Sequence, residues 1–385
     1  MTKPLCVMLV AGEASGDDRG AGLAKALRRR LGDQVRFVGV GGERMAEEGV
    51  VSPFDISEIS ILGILEGVLG YSRVMKRVED TAVLAVREKP DIAILIDSWG
   101  FTLRVARRLR KMDASIPLVK YVGPQVWASR PGRAVTLAGT VDHLLSIHVF
   151  DAPYFEKAGL PVTFVGNSAL TIDFSDADPE GLRASLGIAP EAPVLLVLPG
   201  SRPSEIKRVL PPFLEAIRIL KAERPDLAVI IPAAPTVAAS VKDQAEGLAH
   251  VVEGEAAKLS AMKAATVALA CSGTVTTEVA SAGVPMVVGY ALGKVTYAVL
   301  KRLIRTPYIT LFNIAAQTFV APELIQADCN GPALAREVAL RLDDPDLRQA
   351  QADAQTAALL KMGRGGPDPS EAAADAVLKI LAARK

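Results

Sequence analysis

Three turns rich in small and hydroxyl-bearing residues each follow an apolar run, and each could hold an anionic group. They are residues 12–17 (GEASGD), 199–202 (PGSR) and 271–274 (CSGT). Between a strand and a helix, such a turn lets the backbone approach a ligand, and the free N–H groups of the helix can bind phosphate. Ser15 and Gly16 are therefore candidate nucleotide-sugar ligands. A helix cap by Ser15 or Asp17 explains the first turn equally well.

The second and third turns favour a nucleotide diphosphate. The second contributes Gly200, Ser201 and Arg202, and the third Ser272, Gly273 and Thr274. The guanidinium of Arg202 can bind two phosphate oxygens at once. Glu278 follows Thr274 by about one helical turn, where it could accept a hydrogen bond from a ribose hydroxyl. A surface arginine and an ordinary capping box are the structural alternatives.

Asp97 is the candidate for acid–base chemistry. It ends the apolar run 92–96 and is followed by Ser98, Trp99 and Gly100. A carboxylate at the carboxyl edge of a buried strand faces the ligand and suits a general base. A structural role, in which the Asp97 side chain caps the helix that follows, explains its position equally well. The three histidines, His143, His148 and His250, lie in or beside strand patterns and are interpreted as structural.

Short apolar runs alternate with amphipathic stretches, which is typical of parallel βαβ units. Strands are predicted at residues 5–11, 35–40, 92–97, 117–122, 143–149 and 162–165, then at 194–198, 229–231, 251–252, 266–270 and 285–288. Helices are predicted at 20–31 and 101–112. The predicted fold class is α/β, with two Rossmann-like, doubly wound domains facing a central cleft.

An acidic, polar stretch at residues 173–180 interrupts this alternation and is interpreted as a linker. The predicted domains are residues 1–172, on the acceptor and lipid side, and residues 181–345, which bind the UDP-sugar. Residues 346–385 are predicted to form helices that pack back on the first domain or on a partner subunit.

Composition excludes several classes of protein. The chain has 385 residues, with 44 Lys and Arg against 43 Asp and Glu. A net charge of +1 excludes a uniformly basic nucleic-acid binder. Mean hydropathy is +0.28, yet no run is long and apolar enough to span a membrane. Three distant cysteines, Cys6, Cys271 and Cys329, and the lack of a convincing signal sequence favour a reducing, cytoplasmic location.

One apolar segment with a basic flank indicates contact with a lipid surface. Its predicted lipid-facing or membrane-facing residues are Ile61, Leu62, Ile64, Leu65, Glu66, Val68 and Leu69. Between residues 61 and 133 there are 13 Lys and Arg against 7 Asp and Glu. Apolar residues edged by cations suit an acyl chain and an anionic membrane. An ordinary core helix with a basic solvated face is the alternative.

Taken together, the motifs resemble one known family, the lipid A disaccharide synthases. In chain order they are GEASGD (12–17), GGERM (41–45), IDS (96–98), PQVWA (124–128), LPGSR (198–202), SGT (272–274), PMVVGY (285–290) and PELIQ (322–326). The resemblance covers roughly residues 5–345. It implies a GT-B glycosyltransferase.

The implied reaction joins UDP-2,3-diacylglucosamine to 2,3-diacylglucosamine 1-phosphate. The products are the β-1′,6-linked disaccharide 1-phosphate and UDP, formed with inversion and without a metal or other cofactor. Because both substrates are amphiphiles, the implied location is the cytoplasmic face of the inner membrane of a Gram-negative cell. Nucleic acid is not an expected partner.

The resemblance also implies residue roles. Asp97 matches the base that deprotonates the acceptor 6-hydroxyl, and Arg202 matches an arginine that neutralises the charge on departing UDP. Ser272, Gly273, Thr274 and Glu278 fall where the family holds the nucleotide. Asn313 matches an asparagine that the family's intertwined homodimer supplies from the neighbouring subunit. Glu66 falls in the lipid-proximal segment.

The chain departs from the family pattern at Trp99-Gly100, Ser129 and Asn167. Two other functions therefore stay open. A UDP-sugar 2-epimerase shares the architecture and would release a free sugar without an acceptor. A catalytically silent UDP-sugar-binding or lipid-binding protein is the other.

Overall fold

A computed structural model describes residues 4–59 and 71–384. The chain forms two compact units. The first, the N-terminal domain, comprises Met1–Asn167 and Gly366–Lys385, and the second, the C-terminal domain, comprises Ser168–Gly365. Within the described ranges no helix is long and apolar enough to cross a membrane.

The N-terminal domain is built on a six-stranded parallel sheet with the order β2-β1-β3-β4-β5-β6. Its strands are β1 (Leu5–Ala11), β2 (Val35–Val40), β3 (Ile92–Ile96), β4 (Leu118–Tyr121), β5 (His143–Ser146) and β6 (Val162–Phe164). Its helices before the domain boundary are α1 (Ala14–Leu31), α2 (Glu43–Glu47), α3 (Tyr71–Glu88), α4 (Trp99–Met112), α5 (Gly132–Ala138) and α6 (Ala152–Glu156).

The C-terminal domain repeats this plan with a six-stranded parallel sheet of order β12-β11-β10-β7-β8-β9. Its strands are β7 (Val194–Leu198), β8 (Ala228–Pro232), β9 (His250–Val252), β10 (Val267–Ala270), β11 (Met286–Tyr290) and β12 (Glu323–Ile325). Its helices are α7 (Pro179–Ser185), α8 (Pro203–Glu223), α9 (Ala238–Ala245), α10 (Glu255–Ala264), α11 (Thr274–Ser281), α12 (Lys294–Leu303), α13 (Leu311–Ala316), α14 (Gly331–Asp343) and α15 (Pro345–Lys361). The last helix, α16 (Pro369–Ala382), belongs to the N-terminal domain.

Helices cover both faces of each sheet, which explains why the central strands are apolar throughout. All five residues of β3 are buried. On one face, Leu95 packs with residues of α3 and α4. On the other, Ile94 packs with α1 and α16. Alternate side chains enter opposite cores, so a strand buried on both sides needs a continuous apolar run. The α/β prediction is therefore confirmed.

The predicted strands are present with small shifts at their ends. The largest shift is at residues 143–149, where the strand ends at Ser146. There, Ser146 Oγ accepts a hydrogen bond from the His148 N–H, which turns the chain away from the sheet. The three-residue strand β12 was missed, because Glu323 begins it and a polar Gln326 follows, which hides its short apolar pattern.

The domain boundaries differ from the predicted ones. Residues 173–180 belong to the C-terminal domain, since Phe174 packs against its core and the Asp178 carboxylate caps α7 by accepting from Gly181 N–H at 2.8 Å. The predicted tail is divided. Gln355 of α15 donates to the Val284 carbonyl at 2.9 Å within the C-terminal domain. In contrast, α16 packs on α1, where Arg30 pairs with Glu371 at 2.8 Å.

Each sheet has one point at which the strand order reverses. In the N-terminal domain it lies between the paired strands β1 and β3. In the C-terminal domain it lies between β7 and β10. Ligands of doubly wound sheets bind beyond the carboxyl ends of the strands at these points. The turn after β1, Asp97 after β3, and the turns after β7 and β10 all occupy these positions.

Candidate active site

The Asp97 carboxylate lies among polar groups at the reversal point of the N-terminal sheet. Its Oδ2 is 3.4 Å from both Ser15 Oγ and Arg19 Nη1. Its Oδ1 accepts a hydrogen bond from the Ser98 N–H at 2.9 Å. The side chain is 35% exposed, so it is held and yet accessible. The start of α4 just beyond it favours a negative charge.

The first turn, residues 12–17, allows close packing of α1 on β1 and is also a candidate ligand site. A Cβ on Gly16 would lie 3.3 Å from Ala11 Cβ, so glycine lets α1 lie close to β1. The Asp17 carboxylate is buried and accepts from the N–H groups of Gly42, Arg44 and Met45 at 2.7 to 3.1 Å. This contact explains why GEASGD and GGERM occur together. Neither Ser15 nor Asp17 caps α1, whose N-cap is Glu13.

The second turn already binds a carboxylate of its own chain, that of Glu205. Oε2 of Glu205 accepts from the N–H groups of Ser201 and Arg202 at 3.1 and 3.2 Å, and its Oε1 lies 3.0 Å from Arg202 Nη1. Gly200 has a φ of +117°, and a Cβ there would lie 2.6 Å from Glu205 Oε2. The Arg202 side chain is 75% exposed. A carboxylate therefore occupies the helix terminus at which phosphate was expected.

The third turn is open by comparison. Across residues 4–59 and 71–384, the N–H groups of Gly273, Thr274 and Val275 find no hydrogen-bond acceptor. Ser272 Oγ donates to the Ile309 carbonyl at 3.1 Å, which fixes the turn. The first turn of α11 thus offers unused donors beside hydroxyl-bearing side chains, the arrangement that binds phosphate.

Glu278 has a partner within the domain. Its Oε2 lies 3.0 Å from Lys258 Nζ, and its side chain is 17% exposed. A second carboxylate, Glu255, lies 2.8 Å from the same ammonium. Lys258 thus gains two carboxylates, which raise its pKa against the effect of its partial burial. Hydrogen bonding of Glu278 to a ribose stays a prediction.

Asn313 is fully buried and uses its amide inside the C-terminal domain. Its Nδ2 donates to the Ala321 carbonyl and to Glu323 Oε1, at 2.9 and 2.8 Å. Its Oδ1 accepts from the N–H groups of Val320 and Ala321. Glu323 in turn accepts from the N–H groups of Ile309 and Thr310. This network supports the loop that holds Ser272, a role for Asn313 that needs no second subunit.

A groove lies between α3 and α4, and Trp99 at the start of α4 is one of its lining residues. Its volume is about 530 Å³. Tyr71, Met75 and Leu103 give it an apolar lining, and Arg104, Arg107 and Lys111 edge it. A further lining residue, Arg108, is neutralised by Glu79 through contacts of 2.6 and 2.7 Å. The predicted lipid-facing residues at positions 61–69 lie outside the described ranges.

Comparison with known proteins decides the family. The family model for lipid-A-disaccharide synthetase matches residues 7–377. The lipid-A-disaccharide synthase of Rhodospirillum centenum is 42% identical over 385 residues, covering 99% of this chain and 96% of that protein. The synthase of Bradyrhizobium diazoefficiens is 41% identical over 385 residues, covering 97% and 96%. The chain belongs to the lipid-A-disaccharide synthase family.

Solved structures show the fold of this synthase to be GT-B. The UDP-GlcNAc 2-epimerase of Neisseria meningitidis, bound to UDP-GlcNAc, superposes with a TM-score of 0.65 at 13% identity, covering 97% of this chain and all of that one. An α,α-trehalose 6-phosphate synthase of Burkholderia multivorans gives 0.60 at 14%, covering 100% and 99%. At such identities the likeness is one of fold alone, so it does not carry the epimerase alternative.

The synthase is a glycosyltransferase that forms the lipid A disaccharide, as the sequence predicted. Its substrates are a UDP-sugar and an acylated glucosamine phosphate.

Two contacts of Asp97 were not predicted from the sequence. Arg19 lies one helical turn after Ser15, a usable signal, whereas Lys120 was visible only as a cation inside the apolar strand pattern 117–122.

Proposed function

We propose that Asp97 is the base of this glycosyl transfer. The observation that carries the proposal is the placement of its carboxylate, 3.4 Å from both Ser15 Oγ and Arg19 Nη1 at the reversal point of the N-terminal sheet. Asp97 Oδ2 accepts the proton of the acceptor 6-hydroxyl while that oxygen attacks the anomeric carbon. The bond from this carbon to the β-phosphate oxygen of UDP breaks, with inversion.

The C-terminal domain supplies the groups proposed to hold the donor nucleotide. The unused N–H groups at the start of α11, with Ser272 and Thr274, suit a phosphate. The exposed guanidinium of Arg202 is proposed to neutralise the charge that develops on the leaving phosphate. For Arg202 to do so, its contact with Glu205 must be exchanged for one with the nucleotide.

Substitution Asp97→Asn tests the base directly. The amide keeps the shape of the side chain but cannot accept the proton, so kcat falls by about 10²- to 10⁴-fold while UDP affinity is retained. Asp91→Asn is the matched control, since Asp91 lies at the amino edge of the same strand and accepts from Cys6 N–H at 2.7 Å. Normal turnover by Asp97→Asn removes the proposed role.

We further propose that the enzyme binds the cytoplasmic face of the inner membrane peripherally. Support comes from the groove between α3 and α4, where Tyr71 and Met75 are 53% and 38% exposed beside cationic side chains. An apolar strip edged by cations suits the interface of an anionic bilayer.

A homodimer stays a proposal that rests on the resemblance. The amide of Asn313 is already hydrogen-bonded within its own domain, so a contribution of Asn313 to the donor site of a neighbouring subunit rests on the resemblance alone. Light scattering coupled to gel filtration decides the oligomeric state, with twice the 40.6 kDa chain mass expected for the dimer.

A further inference from the structure

Lys120 is a buried cation in the middle of the N-terminal sheet. It lies on β4, aligned with Leu95 of β3 and Leu144 of β5, and is only 3% exposed. Buried lysines are rare unless a carboxylate pairs with them. In the part of the chain that the structure describes, Lys120 forms no ion pair, so its hydrogen-bond partners must account for its position.

Those partners belong to the turn that presents Asp97. Lys120 Nζ donates to the Asp97 carbonyl and, at 2.8 Å, to Thr102 Oγ1. Thr102 is fully buried, and its hydroxyl lies 2.8 Å from the Asp97 carbonyl oxygen and 3.1 Å from that of Ser98. Lys120 and Thr102 together therefore support the turn from the α4 side of the sheet.

The turn needs that support because its backbone is in an unfavourable region. The φ angles of Asp97 and Ser98 are +46° and +40°. Residues with a Cβ seldom adopt the left-handed region, and two in succession are less common still. This conformation aims the Asp97 carboxylate at Ser15 and Arg19 while its carbonyl points inward to Lys120.

We propose that Lys120 is a positioning residue for the base, fixing the Asp97 turn through the hydrogen bond from its ammonium to the Asp97 carbonyl. The inference rests on the proposed role of Asp97. A charged donor forms a stronger hydrogen bond to a carbonyl than a neutral donor does, so the ammonium form of Lys120 holds the turn better than the amine. The other charged groups at this point are Arg19 of α1, which lies 3.4 Å from Asp97 Oδ2, and Glu13 before α1, whose charge acts on Lys120.

The ionisation of Lys120 itself provides a readout. Burial lowers the pKa of Lys120 to about 7, while the charges of Asp97 and Glu13 act in the opposite direction. Its ammonium is therefore present below about pH 7 and is lost above it. The higher kcat of wild-type enzyme, compared with a variant that lacks the ammonium, must therefore approach that of the variant as pH rises above about 7. A purely structural lysine would confer an advantage that does not depend on pH in this way.

The test compares Lys120→Met with Arg110→Met. Arg110 is a cation of α4 that pairs with Asp142 at 2.6 Å at the opposite edge of the sheet, so its loss controls for general destabilisation. We expect Lys120→Met to lower kcat about tenfold at pH 6, with an unchanged donor KM. The difference in kcat between Lys120→Met and wild type narrows above pH 7.

Each outcome decides the inference. An unchanged kcat at pH 6, or the same deficit in kcat at every pH, overturns it, even where thermal stability is lower. Should Lys120→Met fail to fold by circular dichroism, Lys120→Gln, which keeps a donor without charge, carries the same expectations. Asp97→Asn is assayed in parallel. An active Asp97→Asn overturns the proposed base, whereas an inactive one beside a normal Lys120→Met overturns only the role of Lys120.

Discussion

Arg19 Nη1 lies 3.4 Å from Asp97 Oδ2 and also donates to the Ser15 carbonyl at 2.9 Å. One guanidinium thus ties the turn after β1 to the carboxylate after β3. Its side chain is 21% exposed, so water screens the pair only in part. The pair joins the two strands at which the sheet order reverses, and it gives Asp97 a fixed cationic neighbour.

The first prediction concerns this pair. Arg19→Met removes the cation and keeps the apolar stem, so the Asp97 carboxylate loses a contact that holds it in place and kcat falls by about tenfold. Arg29→Met is the control, because Arg29 lies on the same helix and pairs with Glu371, away from Asp97. Steady-state kinetics from pH 5 to 9 measure both. Identical profiles for Arg19→Met and wild type would contradict the role of the pair.

The second prediction concerns Glu205, whose carboxylate occupies the N–H groups of Ser201 and Arg202. Glu205→Gln retains an acceptor oxygen for these groups but removes a negative charge from the proposed pyrophosphate site. UDP affinity should rise by about fivefold, which corresponds to the free energy of about 1 kcal/mol for one screened ion pair near a surface. Isothermal titration calorimetry with UDP measures it.

A control separates charge from structure at this turn. Glu205→Ala removes the acceptor as well and should bind UDP no more tightly than wild type, since the turn loses two hydrogen bonds. If Glu205→Gln binds UDP more weakly than wild type, the carboxylate supports nucleotide binding and does not compete with it.

The third prediction tests membrane binding by the groove between α3 and α4. Replacing both Arg107 and Lys111 with Gln removes two exposed cations that edge it. Each is worth about 1 kcal/mol near an anionic surface, so binding to phosphatidylglycerol vesicles should weaken by about 30-fold. Vesicle sedimentation measures the effect.

Arg87→Gln provides the matched comparison, because Arg87 is a 71% exposed cation at the far end of α3. Binding that responds equally to loss of Arg87 would show a diffuse charge effect. Unchanged binding of the double variant would place the membrane contact elsewhere on the protein.

The fourth prediction concerns stability and pH at Asp151. Its buried carboxylate accepts from Trp127 Nε1 at 2.9 Å and from Ser146 Oγ at 2.6 Å. Burial raises the pKa of Asp151 from 3.8 to about 6, against these hydrogen bonds. The folded state therefore binds a proton more tightly than the unfolded state. The stability that this gives is present below about pH 4 and is lost as pH rises through 6.

Asp151→Asn lacks this titration. Its free energy of unfolding, relative to wild type, should rise by on the order of 3 kcal/mol between pH 4 and pH 7. Both tryptophans, Trp99 and Trp127, lie in the N-terminal domain, so their fluorescence in urea reports that domain alone. A difference between variant and wild type that is independent of pH would show that Asp151 is not protonated on folding.

Much of the fold could be predicted because strands buried on both faces appear in the sequence as continuous apolar runs. The carboxyl ends of β1, β3, β7 and β10 were located in this way, and with them the residues that the structure brings to the reversal points. The linker was misplaced for a physical reason. An acidic stretch resembles a solvated connection, yet here it carries Phe174 into the core and Asp178 onto a helix.

The supporting contacts could not be predicted, because they join residues distant in sequence. Lys120 reaches the Asp97 carbonyl from a neighbouring strand, and Glu323 organises the loop that holds Ser272. In each case the residue type was visible, but its partner is set by strand order. Glu205 could have been anticipated, since a carboxylate three residues after Arg202 is placed to accept from the start of a helix.

The most direct test of the central claim is the mass of the product. Purified enzyme is given UDP-2,3-diacylglucosamine with and without 2,3-diacylglucosamine 1-phosphate, and the lipid fraction is analysed by mass spectrometry. A tetra-acyl disaccharide 1-phosphate that appears only with both substrates, and is lost in Asp97→Asn, is the predicted result. A free acylated sugar formed without the acceptor, or no conversion with both substrates, would contradict the account.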